Sequence, residues 1–221
     1  MVSTGSLTAR DSDKIIYYWK RIEHAAVADL PAILGLQGAT STTNQRNVQS
    51  TQTKTGVIKS VQAPNQTRVV DVIMTDPKGA TTDIAKELYN AWQNGEVVGL
   101  WRLDLNTLSY NAEGKRQVDA EFSKCLIGNL PETEGLGAAQ QSNITFDVIG
   151  VARRYDSNEN PYHLTEDDLP AGAFDNMEKF YNFAKGTEVG VENGAIVDKT
   201  TSDAKSGVAD NYTLGPKAQQ Q

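Results

Sequence analysis

The chain has 221 residues, a formal net charge of -7 at pH 7 and a pI near 4.9. That length allows one sizeable domain with arms, or at most two small domains. The acidic balance argues against tight nucleic-acid binding, because phosphate contacts need clustered Lys and Arg. Hydrophobic residues make up 38% of the chain and mean hydropathy is -0.47, so part of it is expected to be arm, loop or tail beside a strand-rich core.

Residues 1–13 are polar and read as an N-terminal arm. The same end includes Arg10, Asp11, Asp13, Lys14 and Lys20 with no apolar run, so no signal peptide is expected. No stretch of the chain approaches the ~20 apolar residues of a membrane helix, and no membrane partner is expected. Residues 14–21 are densely aliphatic and aromatic and read as a strand. After them, Ala25, Ala26 and Ala28 favour helix while Pro31, Gly35 and Gly38 oppose it, which leaves residues 22–38 open.

Residues 37–56 follow. Val48 is their only aliphatic side chain larger than alanine, so the stretch cannot bury a face of its own. Its second half is rich in threonine, which favours extended backbone. It reads as an arm or hairpin awaiting another protein surface. It leads into Val57-Ile58-Lys59-Ser60-Val61, and Pro64-Asn65 reads as a turn. Residues 68–75 form a strand with Val70, Val72 and Met74 on one face and Val69, Asp71 and Ile73 on the other. A turn is expected at residues 76–79.

A helix is predicted over residues 83–93. Thr81 or Thr82 would cap it, with Asp83 in its first turn, and Ile84, Leu88, Ala91 and Trp92 form its packing stripe. Asn94-Gly95 supplies a left-handed end. Residues 97–105 form a second central strand, and residues 110–114 a turn. Residues 118–127 alternate, Val118, Ala120 and Phe122 against Asp119, Glu121 and Ser123. A loop over 131–137 leads to a last strand over 143–153, with Ile144, Phe146 and Val148 on one face. Residues 174–183 read as a short helix. The pattern is mainly β, an antiparallel β-sandwich or rolled sheet with one flanking helix. The domain is expected over residues 14–185, with a C-terminal arm or flexible tail over 186–221.

Catalytic chemistry is not indicated. His24 and His163 lie far apart and outside any metal-site spacing; His24 reads as a surface or packing residue and His163 as a loop residue. Cys125 is the single cysteine, so no intrachain disulfide can form, and its strand-like setting makes it a small core residue rather than a nucleophile. No P-loop, nucleophile elbow or dinucleotide-binding glycine pattern occurs. The run Glu166-Asp167-Asp168 lacks the alternating spacing of a calcium loop. The reading is therefore of a non-enzyme without cofactor or metal.

The charges are unevenly placed. Between residues 30 and 70 there is no acid, but there are Arg46, Lys54, Lys59 and Arg68. Between residues 156 and 168 there are Asp156, Glu159, Glu166, Asp167 and Asp168 without a Lys or Arg. Either identical subunits stack head to tail through this complementarity, or both segments are solvated loops. The contacts between subunits are assigned to Thr42, Thr43, Asn44, Arg46, Thr53, Lys54 and Thr55, with the acidic segment as partner. Asp71, Asp119, Glu121 and Asp147 are the candidates for exposed acids.

Four segments together carry a resemblance: the polar run ending in Thr53-Lys54-Thr55-Gly56-Val57-Ile58, the single helix between two apolar strands, the amphipathic strand over 118–127, and Glu134-Gly135 followed by Ile144-Thr145-Phe146-Asp147-Val148. Residues 36–154 resemble the major tail tube protein of long non-contractile-tailed bacteriophages, the siphoviruses. The resemblance implies hexameric rings in which each subunit gives strands to an inner β-barrel between subunits. It implies rings stacked into a tube in the virion, assembled in the host bacterial cytoplasm. Further implied partners are a tape-measure protein, distal tail proteins and terminator proteins, with double-stranded DNA passing through unbound. A tail terminator or connector, or a monomeric β-sandwich binding module, are the alternatives. If the polar arm stacks the rings, excising residues 39–53 is expected to leave the core folded and stop polymerisation.

Overall fold

Residues 10–74, 83–175, 189–192 and 195–198 are described by the structure, a computed structural model. The chain divides into two units, Met1–Pro170 and Ala171–Gln221, whereas the sequence puts the division after residue 185. In the first unit β1 (Ile15–Arg21), β2 (Ala32–Ile33), β3 (Leu36–Thr53), β4 (Gly56–Ile73), α1 (Ile84–Asn94), β5 (Val98–Tyr110), β6 (Arg116–Asn129), β7 (Gln141–Val148) and β8 (His163–Thr165) follow in chain order. In the second unit β9 (Val189–Glu192) pairs antiparallel with β10 (Ala195–Asp198), inside what the sequence reads as tail. A helical turn begins at Ala173, and the rest of the helix expected to residue 183 lies outside the described residues, as do the turn at 76–79 and the candidate caps Thr81 and Thr82.

Every strand pairing is antiparallel, and the sheet runs β2-β1-β5-β6-β7-β4-β3. β8 pairs with the first residues of β6, the part that β7 does not reach. The alternation read from sequence sets the faces. Val70 and Val72 point with Ile144 and Phe146 into a cluster that also takes Tyr17, Trp19, Leu34, Val98, Leu100, Cys125 and Ile127. Burying such side chains contributes about 1.5–3 kcal/mol each relative to exposure. At the centre of the sheet the other face is covered too: Tyr18, Leu103, Leu105, Val118 and Ala120 are buried on it. That is why β6 buries both Val118 and Ser123, although its sequence alternates as if one face met water.

The sheet also rolls until β3 reaches back to β1. The Gln37 side chain accepts a hydrogen bond from Tyr17 N at 2.8 Å and donates one to Tyr17 O at 2.6 Å. One carboxamide thus stands in for a peptide group between β3 and β1, and Tyr17 Oη meets Thr42 Oγ1 at 3.3 Å beside it. The backbone groups of an otherwise open edge are satisfied at this seam.

α1 adds Leu88 and Ala91 to the cluster, with Ile84 packed against it. Asp83 is itself the N-cap, its Oδ1 accepting from Lys86 N at 3.2 Å, instead of a first-turn residue. Gly95 closes the helix at φ 64°, a left-handed conformation that a side chain would strain. Trp92 leaves the packing stripe. It sits about 80° round the helix from Ile84, is 44% exposed, and lies against Tyr89 with ring centroids 5.8 Å apart.

The expected turn at Pro64-Asn65 is absent. β4 runs straight through it, with Arg46 opposite Pro64 and a register irregularity between Arg46 and Val48. Proline is accommodated there because, among the described residues, β4 has no second neighbour at that level: its pairing with β7 begins at Thr67.

Candidate assembly surface

β3 and β4 pair along their whole length, from Leu36↔Ile73 to Thr53↔Gly56, with a two-residue turn of Lys54 and Thr55. Only the inner part of this ribbon, a little under half its length, belongs to the body. Beyond Thr67, β4 has no partner but β3 among the described residues, so residues 44–53 and 56–65 leave the sheet as a two-stranded ribbon roughly 30 Å long. Threonine and the β-branched Val and Ile keep it extended. Thr53 Oγ1 donates to Gly56 O at 2.8 Å across its tip. Residues 44–63 are exposed throughout, including Val48, Val57, Ile58 and Val61 at 56–60%. An isolated two-stranded ribbon is marginal in water, and both of its edges offer unpaired backbone groups. Of the contact residues assigned from sequence, Arg46, Thr53, Lys54 and Thr55 lie on this free ribbon, Asn44 and Thr43 at its root, and Thr42 at the seam with Tyr17.

The root is clamped by charge. Arg68 is 1% exposed and Glu121 2% exposed. Arg68 Nε and Nη2 donate to Glu121 Oε1 at 2.8 and 2.6 Å, and Arg154 donates to Oε2 of the same carboxylate. The remaining Arg68 nitrogen donates to Thr67 O at 2.9 Å and reaches Asn44 Oδ1 at 3.3 Å. Asn44 Oδ1 also accepts from Gln66 Nε2 at 2.7 Å, and Gln66 Oε1 accepts from Ala152 N at 2.7 Å. The ribbon's direction is thus fixed to β6 and to the chain after β7. Burial pushes the Glu121 carboxyl up, but Arg154 and Arg68 outweigh it and hold the group below the usual carboxylate range. Two expectations change here. Arg68 is no surface cation, and Glu121 is no exposed acid, because each neutralises the other where neither meets water.

Beside the ribbon's root, one face of β7, β4 and β3 stays open to solvent. By register it carries Asn143, Thr145 and Asp147, then Thr67, Val69 and Asp71, then Ser41 and Thr43. Both acids lie against glycines. A methyl group at Gly128 would stand 2.1 Å from Asp147 Oδ2, and one at Gly38 2.8 Å from Asp71 Oδ2. The result is a face mostly of hydroxyl, amide and carboxylate groups, interrupted by Val69 and by the exposed Leu126 of β6 beside Asp147.

The acidic segment is occupied by its own chain. Glu166 pairs with Arg116 at 2.8 Å and Asp167 with Lys115. Asp168 accepts from Thr165 N and Thr165 Oγ1, both at 2.8 Å. Asp156 accepts from Asn158 N and Asn160 N at 2.7 and 2.9 Å, and the Asn160 contacts hold its carboxyl below the ordinary range. Glu159 is exposed in the same turn, at φ 62°.

The histidines each face a carboxylate: His24 Nε2 lies 3.0 Å from Glu96, and His163 Nδ1 lies 2.9 Å from Asp119. His163 begins β8 rather than lying in a loop. Among the described residues no three His, Cys, Asp or Glu side chains converge on a metal-sized site. Cys125 is buried, which pushes its thiol up to about 12. A cavity of about 280 Å³ lies between Trp19, Leu30 and Ile84, and Arg21 on its wall is committed to Glu87 and Glu96. The Arg21 hydrogen bonds hold the Glu96 carboxyl down to about 2 from 4.5. Its contribution to stability is therefore full above pH 4.5 and lost as pH falls toward 2. Urea denaturation of wild type and Glu96→Gln is expected to show a stability gap at pH 7 that narrows below pH 4.5. A gap independent of pH would remove this assignment.

Comparison with solved structures places this geometry. The protein of the SPP1 tail tube, a hybrid structure from solid-state NMR and electron cryo-microscopy, aligns with 90% of this chain and 96% of its own, at 16% identity and TM-score 0.54. The fold is that of the SPP1 tail tube protein. Two further alignments are looser. A chain from the tail of an empty GTA particle, refined with C6 symmetry, covers 66% of this chain and 98% of its own, at 8% identity and TM-score 0.47. A chain from the anti-feeding prophage baseplate covers 69% and 96%, at 8% identity and TM-score 0.41. No protein-family model and no curated protein matches the sequence. Within this tail-tube fold, sequence reading located the free ribbon but missed the Arg68–Glu121–Arg154 clamp. The one signal for it was Arg68, a charged residue in register with the inward Val70 and Val72; Glu121 lies on the polar side of the alternation in its own strand.

Proposed function

We propose that this chain is a structural, non-enzymatic tail tube subunit that polymerises with copies of itself. The observation that carries the reading is the free β3–β4 ribbon, whose apolar side chains and strand edges are all exposed in the single subunit. The shared fold with the SPP1 tail tube protein supports it. Subunits form hexameric rings of the siphovirus kind, and the rings stack into a tube in the virion. The open face with Asp71, Thr145 and Asp147 lines the lumen. Its hydroxyls and recessed carboxylates, on a chain of net charge -7, let double-stranded DNA pass without adhering. A tape-measure protein fills that lumen during assembly, and distal tail and terminator proteins close the ends. No cofactor takes part, and assembly proceeds in the host cytoplasm.

Sedimentation velocity over a hundredfold range of concentration tests the reading. Above a threshold, fast-sedimenting polymer is expected to grow at constant free-subunit concentration. A single monomeric species throughout would favour the binding-module alternative.

A further inference from the structure

An exposed loop lies at the end of the body opposite the free ribbon. Along β4, the ribbon leaves beyond Thr67, while the loop over residues 130–140 returns at the other end, where Ile73 pairs with Gln141 and Met74 N donates to Gln140 O at 2.9 Å. That loop is ordered. Thr133 and Gln141 exchange two backbone hydrogen bonds at 2.9 and 3.2 Å, and Ala138 N donates to Gly135 O at 3.1 Å. It presents Glu132, Glu134 and a fully exposed Leu136.

The ribbon carries the complement. Val57, Lys59 and Val61 share one face of β4, and Val48 lies opposite Val61 on that same face. Lys54 sits at the tip. Among the described residues neither Lys54 nor Lys59 has an ion-pair partner, and neither do Glu132 and Glu134. The acids at residues 156–168 are not equivalent candidates, because Glu166 and Asp167 are already paired within the chain.

We infer that the ribbon of one copy seats on the 130–140 loop of the next, Leu136 entering the Val48–Val57–Val61 strip and Glu132 and Glu134 facing Lys54 and Lys59. This rests on the tube reading and names the surface it leaves open. A contact between opposite ends is heterologous, so each copy can both give and receive it, as a growing stack of rings requires. The apolar strip supplies contact area, and the charges fix the approach and the partner.

The test is a charge exchange in the full-length chain, read as the critical concentration for polymer at low salt, with circular dichroism to verify folding of these surface variants. Lys54→Glu with Lys59→Glu, and separately Glu132→Lys with Glu134→Lys, are each expected to raise the critical concentration by about tenfold or more. The quadruple variant is expected to return near the wild-type value. Leu136→Asp is expected to raise it also. If wild type polymerises and the two reversals leave the threshold unchanged, or the quadruple variant is no better than the doubles, this pairing is wrong while the tube reading stands. If wild type forms no polymer under any condition, the tube reading itself fails.

Discussion

Joining Gln45 to Asn65 through an Asn-Gly turn, with residues 46–64 removed, is expected to leave the body folded and abolish polymerisation. The removed segment contains no buried residue and no member of the core cluster. Its loss costs only the marginal stability of a solvent-exposed ribbon, so the melting temperature should move by no more than a few degrees. The cut at residues 39–53 suggested by sequence alone is the wrong one. It would take Thr40–Thr43 from the edge of β4 and the Thr42 hydroxyl from Tyr17, exposing Val70 at the seam. Thermal melts and light scattering on the shortened chain separate the two effects. Unchanged polymer would show that the ribbon is not the stacking element, and an unfolded product would show that it belongs to the body.

The largest stability effect is expected at Glu121. Replacing it by alanine leaves the buried Arg68 guanidinium without its counter-charge, at a cost of about 3–5 kcal/mol. For a chain of this size that corresponds to a melting temperature lowered by roughly 10 °C. Arg154→Ala should cost much less, because its side chain is 46% exposed and water can replace part of the pair. Exchanging both Arg68 and Glu121 for apolar residues of similar size is expected to recover most of the loss, since neither charge is then stranded. A double-mutant cycle by urea denaturation measures this coupling. A small loss on Glu121→Ala would mean that the carboxylate meets water in solution. Because Glu121 titrates below the ordinary carboxylate range, its contribution should be intact at neutral pH and decline in acid.

The ribbon and the charge clamp differ in how far the sequence alone reveals them. The ribbon was legible because residues 37–56 offer almost no side chain for a core, which is a local property of composition. Its true extent was not, because Pro64-Asn65 has the chemistry of a turn and only the absence of a second neighbouring strand lets β4 continue through it. The helix was legible from its stripe, but the neighbour that decides whether Trp92 is covered lies elsewhere in the chain. Arg68 and Glu121 are 53 positions apart, and no spacing rule joins them. The acidic run at residues 156–168 looked available because its cations, Lys115 and Arg116, lie outside that window and reach it only through the β6–β8 pairing. Composition thus located the segment lacking a core of its own, while the assignment of each charge depended on strand register.

The exposed β3–β4 ribbon predicts a chain that polymerises with copies of itself into a tube. Negative-stain electron microscopy of the purified full-length protein, at concentrations above its scattering threshold, tests it most directly. Hollow tubes built of stacked rings are the predicted result. A field of isolated monomers at the highest attainable concentration would contradict it.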